Sequence, residues 1–564
     1  MIKIFKITFY IFLVVLFCSC VNSGQQNKES EPQISKPRIV NIINFIRLCE
    51  PRKDEITEDV LYETVQKQVD ILNQYKLGGT FLLQYDALMN ARYQKLLKSL
   101  PADSFEIGAW WEIPQPLVEK AGYEWRGRYS WDWHADVGFA TGYSPEEREK
   151  LVDVYMKDFK QIFGYYPKSV GSWFIDAHTL NYLHEKYGIV ASCNCKDQVG
   201  TDGYSMWGGY WNQGYYPSKK NAYVPAQNAE NQIPVPIFRM LGSDPVRQYD
   251  NGLGTKKQKV VSLEPVYPES GGDAAWINWY FNQFVDGECM EYAFVQAGQE
   301  NSFTWKRMAK GYELQIPLIA KLRDQKKVKL QTLAESGQWF RENYKTTPAT
   351  SVTVMEDFNG SNNKTVWINS RYYRANLLWQ DNTLRFRDIH VFDESLESNY
   401  LTKKTTSSKC DYYALPVVDG YNWSTVEEIA GLRFKAIIDG EEKFLEGGTP
   451  EVDGSEKGQL FISWPLVNSK GTLVFEMDEE GIEIKMTGNN KLNWFLDMTA
   501  KTDAALPFKN ISSDKIECNF KGMDYSVSVC RGTLSVPGKS SVFKIFPEEK
   551  LIRLSFIKTK SALD

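Results

Sequence analysis

Residues 167–193 read PKSVGSWFIDAHTLNYLHEKYGIVASC, and this stretch decides the fold. Ser169–Ile175 (SVGSWFI) is an apolar run of strand length. Asp176 follows, and then AHTLNYLHEKYG carries a helix to a glycine stop. Ile189–Cys193 starts a second apolar run at once. Two strands joined through a helix run parallel. The same alternation extends both ways. Upstream, Arg38–Ile46 (RIVNIINFI), Thr80–Gln84 and Phe105–Trp111 read as strands, and Leu61, Val65, Val69 and Leu72 mark a helix from about Thr57 to Tyr75. Ser144-Pro-Glu-Glu147 opens another helix with a serine cap, a first-turn proline and a capping-box glutamate. Its apolar face runs through Leu151, Tyr155, Phe159 and Ile162 to Gly164. Downstream come Ile233–Phe238, Tyr292–Gln296 and Val328–Thr332, with a long helix from about Ser302 to Lys321. The expectation is an α/β chain whose residues 37–344 form a (β/α) barrel of about seven parallel strands.

Beyond Tyr344 the helical period fades. Ile482, Ile484 and Met486 alternate with Glu483 and Lys485, and Tyr525, Val527 and Val529 alternate in the same way. Period-two strands between Gly, Asn and Asp turns predict a β-sandwich over 345–564, as one unit or two.

The chain has 564 residues, too many for one core. A net charge of −5 gives no electrostatic basis for a nucleic-acid partner. The aromatic share is high at 14%, with 17 Trp, and aromatic faces suit both cores and sugar rings. The opening MIKIFKITFYIFLVVLFCSC has the basic start and short apolar run of an export signal. Ser19-Cys20 resembles the relaxed lipoprotein box of Bacteroidota. Residues 1–19 are therefore expected to be a signal peptide, Cys20 the lipidated residue, and 20–36 a flexible tether at the cell envelope. Seven further Cys without paired CxxC units argue against a zinc cage, and Cys193 and Cys195 read as buried strand residues.

Only four His occur, and no G-x-S-x-G, GxGxxG, Walker loop or HExxH is present. Chemistry then falls to carboxylates, which suit acetal cleavage: one acid protonates the departing oxygen, and a second carboxylate meets the anomeric carbon. Barrel chemistry sits where strands end. Asp176 and Glu300 each follow a strand and precede a helix, a position that equally suits an N-cap or a favourable first-turn charge. Glu112 and Asp136 are alternative acids. Arg47 and Glu50, beyond the first strand, suit sugar hydroxyls or each other. Trp110, Trp111, Trp133, His134, Trp173 and His178 are candidate substrate contacts. So are Trp207 and Trp211, in a Gly-rich aromatic segment (YSMWGGYWNQGYY) read as a loop over the barrel mouth or a hydrophobic plug.

The 167–193 stretch resembles the fourth strand of family 57 and family 38 glycoside hydrolases, which carry a Trp, two residues and then a nucleophilic carboxylate. That resemblance implies Asp176 as nucleophile. Family 57 also has an Asp-x-Glu-like stretch after its seventh strand. Here it reads Gly298-Gln299-Glu300, leaving Glu300 as the acid/base. TFLLQYDAL and FEIGAWW are similar to the second and third strands of polysaccharide deacetylases, but the deacetylase metal motif is missing. Asp132, His134, Asp136 and His178 are the one set left that could converge on a metal. The resemblance implies a retaining glycosidase acting on a glycan without a cofactor. A metal-dependent deacetylase-like hydrolase and a non-catalytic glycan-binding lipoprotein are the rivals.

Overall fold

A computed structural model describes residues 36–558 apart from 202, 468, 489, 490 and 538–540. The expected signal, Cys20 and the tether up to residue 35 lie outside the described residues. Among the described residues no helix is long and apolar enough to cross a membrane.

Seven strands build a nearly closed parallel sheet: β1 Arg38–Ile46, β2 Gly79–Leu83, β3 Phe105–Trp110, β4 Ser169–Gly171, β5 Ala191–Asn194, β6 Ile237–Arg239 and β7 Ala293–Ala297. They follow the order β7-β1-β2-β3-β4-β5-β6, and β8, Lys329–Gln331, adds to β1. β1 shows why the apolar runs are continuous. Ile39, Ile43 and Phe45 pack inside the barrel, while Val40, Ile42 and Ile46 pack against the helices, so both faces are dry. The outer helices include α1 Glu58–Gln74, α2 Pro145–Phe163, α3 Ala177–Tyr187, α4 Trp305–Asp324 and α5 Leu333–Asn343. The predicted capping box on α2 forms, and Gly164 ends that helix at φ 87°.

Two local readings change. The strand expected to reach Ile175 leaves the sheet after Gly171. Ser172 Oγ lies 2.8 Å from the carbonyl oxygens of both Trp111 and Phe174 and turns the chain there. The aromatic segment is a plug, not a loop over the mouth. Tyr204–Trp207 pairs in parallel with Cys410–Tyr413, and Gly214–Tyr215 adds antiparallel to β6. Gln213 spans the open seam: its carbonyl accepts from Arg239 N at 3.2 Å and its Oε1 from Phe294 N at 2.9 Å.

From Thr350 onward, antiparallel strands form two sheets. Phe434 of one sheet meets Phe475 of the other at 5.5 Å between ring centres, so the sheets share a core. A buried polar network ties these sheets to the barrel. Arg374 bonds Asp388 at 2.8 Å and also Asp197, which follows β5 and accepts from Arg239 at 2.7 Å. Burial opposes the charge on Asp388, yet Arg374 and His390 hold its carboxyl below the usual range.

Candidate active site

A cavity of about 790 Å³ opens at the carboxyl ends of the barrel strands. Its floor is built from residues just past them: Arg47 after β1, Glu112 after β3, Trp173 after β4, Lys196 after β5 and Glu300 after β7.

Arg47 is the centre of this floor. Its Nε and Nη2 donate to Glu112 Oε2 and Oε1 at 2.9 and 2.7 Å, a bidentate pair. The same Nη2 lies 3.0 Å from Glu300 Oε2, and Nη1 donates to Glu300 Oε1 at 3.3 Å. Trp131 covers the guanidinium at 3.9 Å from its ring centre. Burial opposes a charged Arg47, but the two glutamates hold its proton above the ordinary arginine range.

The two carboxylates are held differently. Glu112 is wholly buried and accepts a third hydrogen bond, from Gln84 Nε2 at 2.7 Å. Glu300 has burial as its dominant influence; Arg47 opposes this, Glu112 adds repulsion, and its carboxyl is pushed up to about 7. Ser302 Oγ donates to its Oε1, whereas its Oε2 makes no hydrogen bond among the described residues. A carboxyl that holds its proton towards neutral pH, set beside a second carboxylate, is the arrangement acid catalysis needs.

Backbone geometry places Glu300. Gly298 adopts φ 103°, and a Cβ there would sit 2.1 Å from the Ile43 carbonyl oxygen. The glycine in Gly298-Gln299-Glu300 is thus imposed by the turn out of β7. Gln299 then accepts from Glu300 N at 2.8 Å through Oε1 and donates to Glu264 Oε1 at 3.0 Å through Nε2. Glu264 is paired with Lys196 at 2.9 Å. Trp133 and Phe139 line the wall above the floor, and Trp173 sets its edge against Trp110 at 5.5 Å.

Several expected residues lie elsewhere. Asp176 does not line the cavity. It caps α3, accepting from Thr179 N at 2.9 Å, and pairs with Arg148 at 2.9 Å, fully buried. With β4 ending at Gly171, the side chain that β4 delivers to the bowl is Trp173, and the helix cap takes the carboxylate. Glu50 does line the cavity, as expected, but pairs there with Arg52 at 2.6 Å, not with Arg47; burial would raise its carboxyl, but Arg52 holds it below the usual range. The residues considered for a metal do not converge: Asp132 is bound by Arg128 at 2.6 Å, and His178 pairs with Glu149 at 3.0 Å between α2 and α3. Neither His134 nor Asp136 lines the cavity; the His134 ring abuts Trp133 at 6.1 Å. Trp110 stacks on Phe45 inside the barrel, and Trp111 packs in the helix layer against Tyr155, so neither lines the cavity. Trp211 stacks on Trp367 at 3.9 Å and Trp207 donates to Asp419 at 3.0 Å, both within the plug.

Residues the sequence did not single out are Gln84, Lys196 and Glu264. Gln84 directly follows β2 and Lys196 stands two residues past β5, positions that could have flagged them. Glu264 sits in an aperiodic loop (VSLEPVYPES) with no such signal.

Asp176→Asn keeps a capping oxygen but removes the charge beside Arg148, which retains the Tyr400 and Ala140 carbonyls. It is expected to cost about 1–3 kcal/mol of stability in denaturant unfolding and to leave kcat unchanged.

The family described as a domain of unknown function with a solved structure (DUF3863) matches residues 128–373. A candidate glycoside hydrolase/deacetylase from Parabacteroides distasonis has a similar fold, with TM-score 0.50 and 14% identity over 68% of this chain and 92% of that one. More remote are 4-alpha-glucanotransferase from Thermococcus litoralis (TM-score 0.33, 10% identity, 93% and 100% covered) and a family 4 acetyl xylan esterase from Clostridium thermocellum (TM-score 0.24, 11% identity, 53% and 91% covered). No curated protein matches the sequence. The fold is that of the glycoside hydrolase/deacetylase-like barrels.

Proposed function

We propose that the chain cleaves a glycosidic bond with retention, with Glu300 as acid/base and Glu112 as nucleophile. One observation carries this reading: both carboxylates meet the same nitrogen, Arg47 Nη2, at 2.7 and 3.0 Å. Their nearest oxygens are therefore within about 6 Å of each other. This favours the ~5–5.5 Å spacing of retaining pairs over the ~6.5–9.5 Å that leaves room for an inverting water.

In the first step protonated Glu300 gives its proton to the departing glycosidic oxygen, and Glu112 bonds to the anomeric carbon as that C–O bond breaks. Water then attacks the glycosyl ester. Glu300, now a carboxylate, takes the water's proton, and Glu112 leaves as the free anion. Arg47, bonded to both side chains, aims Glu112 at the anomeric carbon and balances the charge on Glu300 once it has given up its proton. Trp133 and Trp173 offer faces for the sugar rings.

The test is a glycan-library screen with product analysis. New reducing ends with retained anomeric configuration support the proposal, whereas release of acetate with the chain intact would assign deacetylation instead. The pH profile provides a second check. An acid must be protonated to act, so kcat is expected to be high below pH 7 and to fall as pH rises through about 7, the value to which burial moves Glu300. A rate that climbs through this range would contradict the assignment.

A further inference from the structure

The charges around the cavity are layered. In the floor each cation is matched: Arg47 by Glu112 and Glu300, and Lys196 by Glu264. The mouth differs. Lys53, Lys257, Lys259 and Arg307 line the cavity with exposed side chains, and among the described residues none is held in an ion pair. One exposed carboxylate, Glu269, lines the same mouth.

This basic rim is built by the fold. Gln258 lies between two of the lysines and is buried as an anchor. Its Nε2 donates to the Gln248 and Tyr249 carbonyls at 2.9 and 2.8 Å, and its Oε1 accepts from Val199 N at 3.2 Å. With Gln258 pinned inward, its neighbours Lys257 and Lys259 are presented at the opening. Arg307 comes from the first turn of α4 and lies 5.2 Å from the Phe303 ring, and Lys53 comes from the loop before α1. Three separate segments therefore bring positive charge to one opening, in a chain whose net charge is −5. A cationic ring over a cavity with low-dielectric walls concentrates anions.

We infer that the substrate is an anionic saccharide, bearing carboxylate or sulfate groups that the Lys53, Lys257, Lys259 and Arg307 rim receives. The inference rests on the reading of this cavity as a glycan site and deepens it. Uncharged hydroxyls would leave four cations at the mouth without partners, whereas uronate or sulfate groups on residues flanking the cleaved bond would meet them. The floor, with its own charges matched, receives the reacting ring.

The test reads binding apart from turnover, using the Glu300→Gln full chain on an array of neutral, uronate-containing and sulfated glycans. Binding confined to charged glycans is expected, with the uronate and sulfate arms separating the two chemistries. Affinity should fall at least about tenfold between 50 and 500 mM salt, because the rim is exposed and screened. The Lys257→Glu/Lys259→Glu double variant should lose about tenfold or more at low salt. Lys53→Glu, in a different segment, should weaken binding in the same direction, so a misfolded loop in the double variant would not decide the outcome. Equal binding of neutral glycans, salt-independent affinity, or no binding to any charged glycan would overturn the inference. Charged-glycan binding by a protein that cleaves nothing would sink the hydrolytic proposal and leave this one standing.

Discussion

Substituting Glu300 by glutamine is expected to lower kcat on the natural glycan by about 10²–10⁴-fold, the usual contribution of a positioned acid. The amide preserves volume and can still meet Arg47 Nη1 and Ser302, so the floor keeps its shape. Stability should move the other way. In the folded protein the Glu300 carboxyl stands at about 7, above its unfolded value of roughly 4.3. Such a group supports folding fully below the unfolded value, and that support is lost as pH rises through the folded one. Glutamine does not titrate. The variant's Tm relative to wild type should therefore improve from pH 5 to pH 8, while activity collapses. A variant that loses activity and stability together would mark Glu300 as structural.

Arg47→Met carries the second large effect. It removes the one cation shared by two buried carboxylates, and breaking a buried pair costs about 3–5 kcal/mol because the remaining charge is uncompensated. Methionine fills much of the space under Trp131, so the loss is electrostatic and not a cavity effect. Glu300, without its partner, would keep its proton well above the unfolded value. The missing stability should accordingly be small near pH 4 and largest above pH 7 in denaturant titrations. A pH-independent loss would argue that packing against Trp131 is what Arg47 supplies.

Much of the barrel was legible because its strands are apolar on both faces and its helices are capped by type. β1 and the capping box on α2 fall where the pattern places them. Glu300 was legible as a carboxylate between a strand and a helix. Asp176 fits the same description, and only three-dimensional contacts separate the two: Arg148 and the Thr179 amide claim Asp176, whereas Glu300 faces Arg47. The strand-length run SVGSWFI hides the turn at Ser172, since its apolar side chains satisfy a strand or a buried bend equally. Glu264 and Trp131 reach the cavity from long loops, where no period constrains a reading. The Trp207–Trp211 plug was ambiguous for another reason. Aromatic residues between glycines serve a ligand or a partner sheet alike, and the partner, Trp367, lies far along the chain.

Proton donation by Glu300 is the central claim, and leaving-group dependence tests it most directly. The measurement compares wild type with Glu300→Gln on aryl glycosides of the cleaved sugar, from phenyl to 2,4-dinitrophenyl. A poor leaving group needs the proton and a good one departs without it. The variant should approach the wild-type rate of glycosyl-ester formation on dinitrophenyl glycoside and fall furthest behind on phenyl glycoside. An equal deficit on every leaving group would contradict the assignment of Glu300 as the acid.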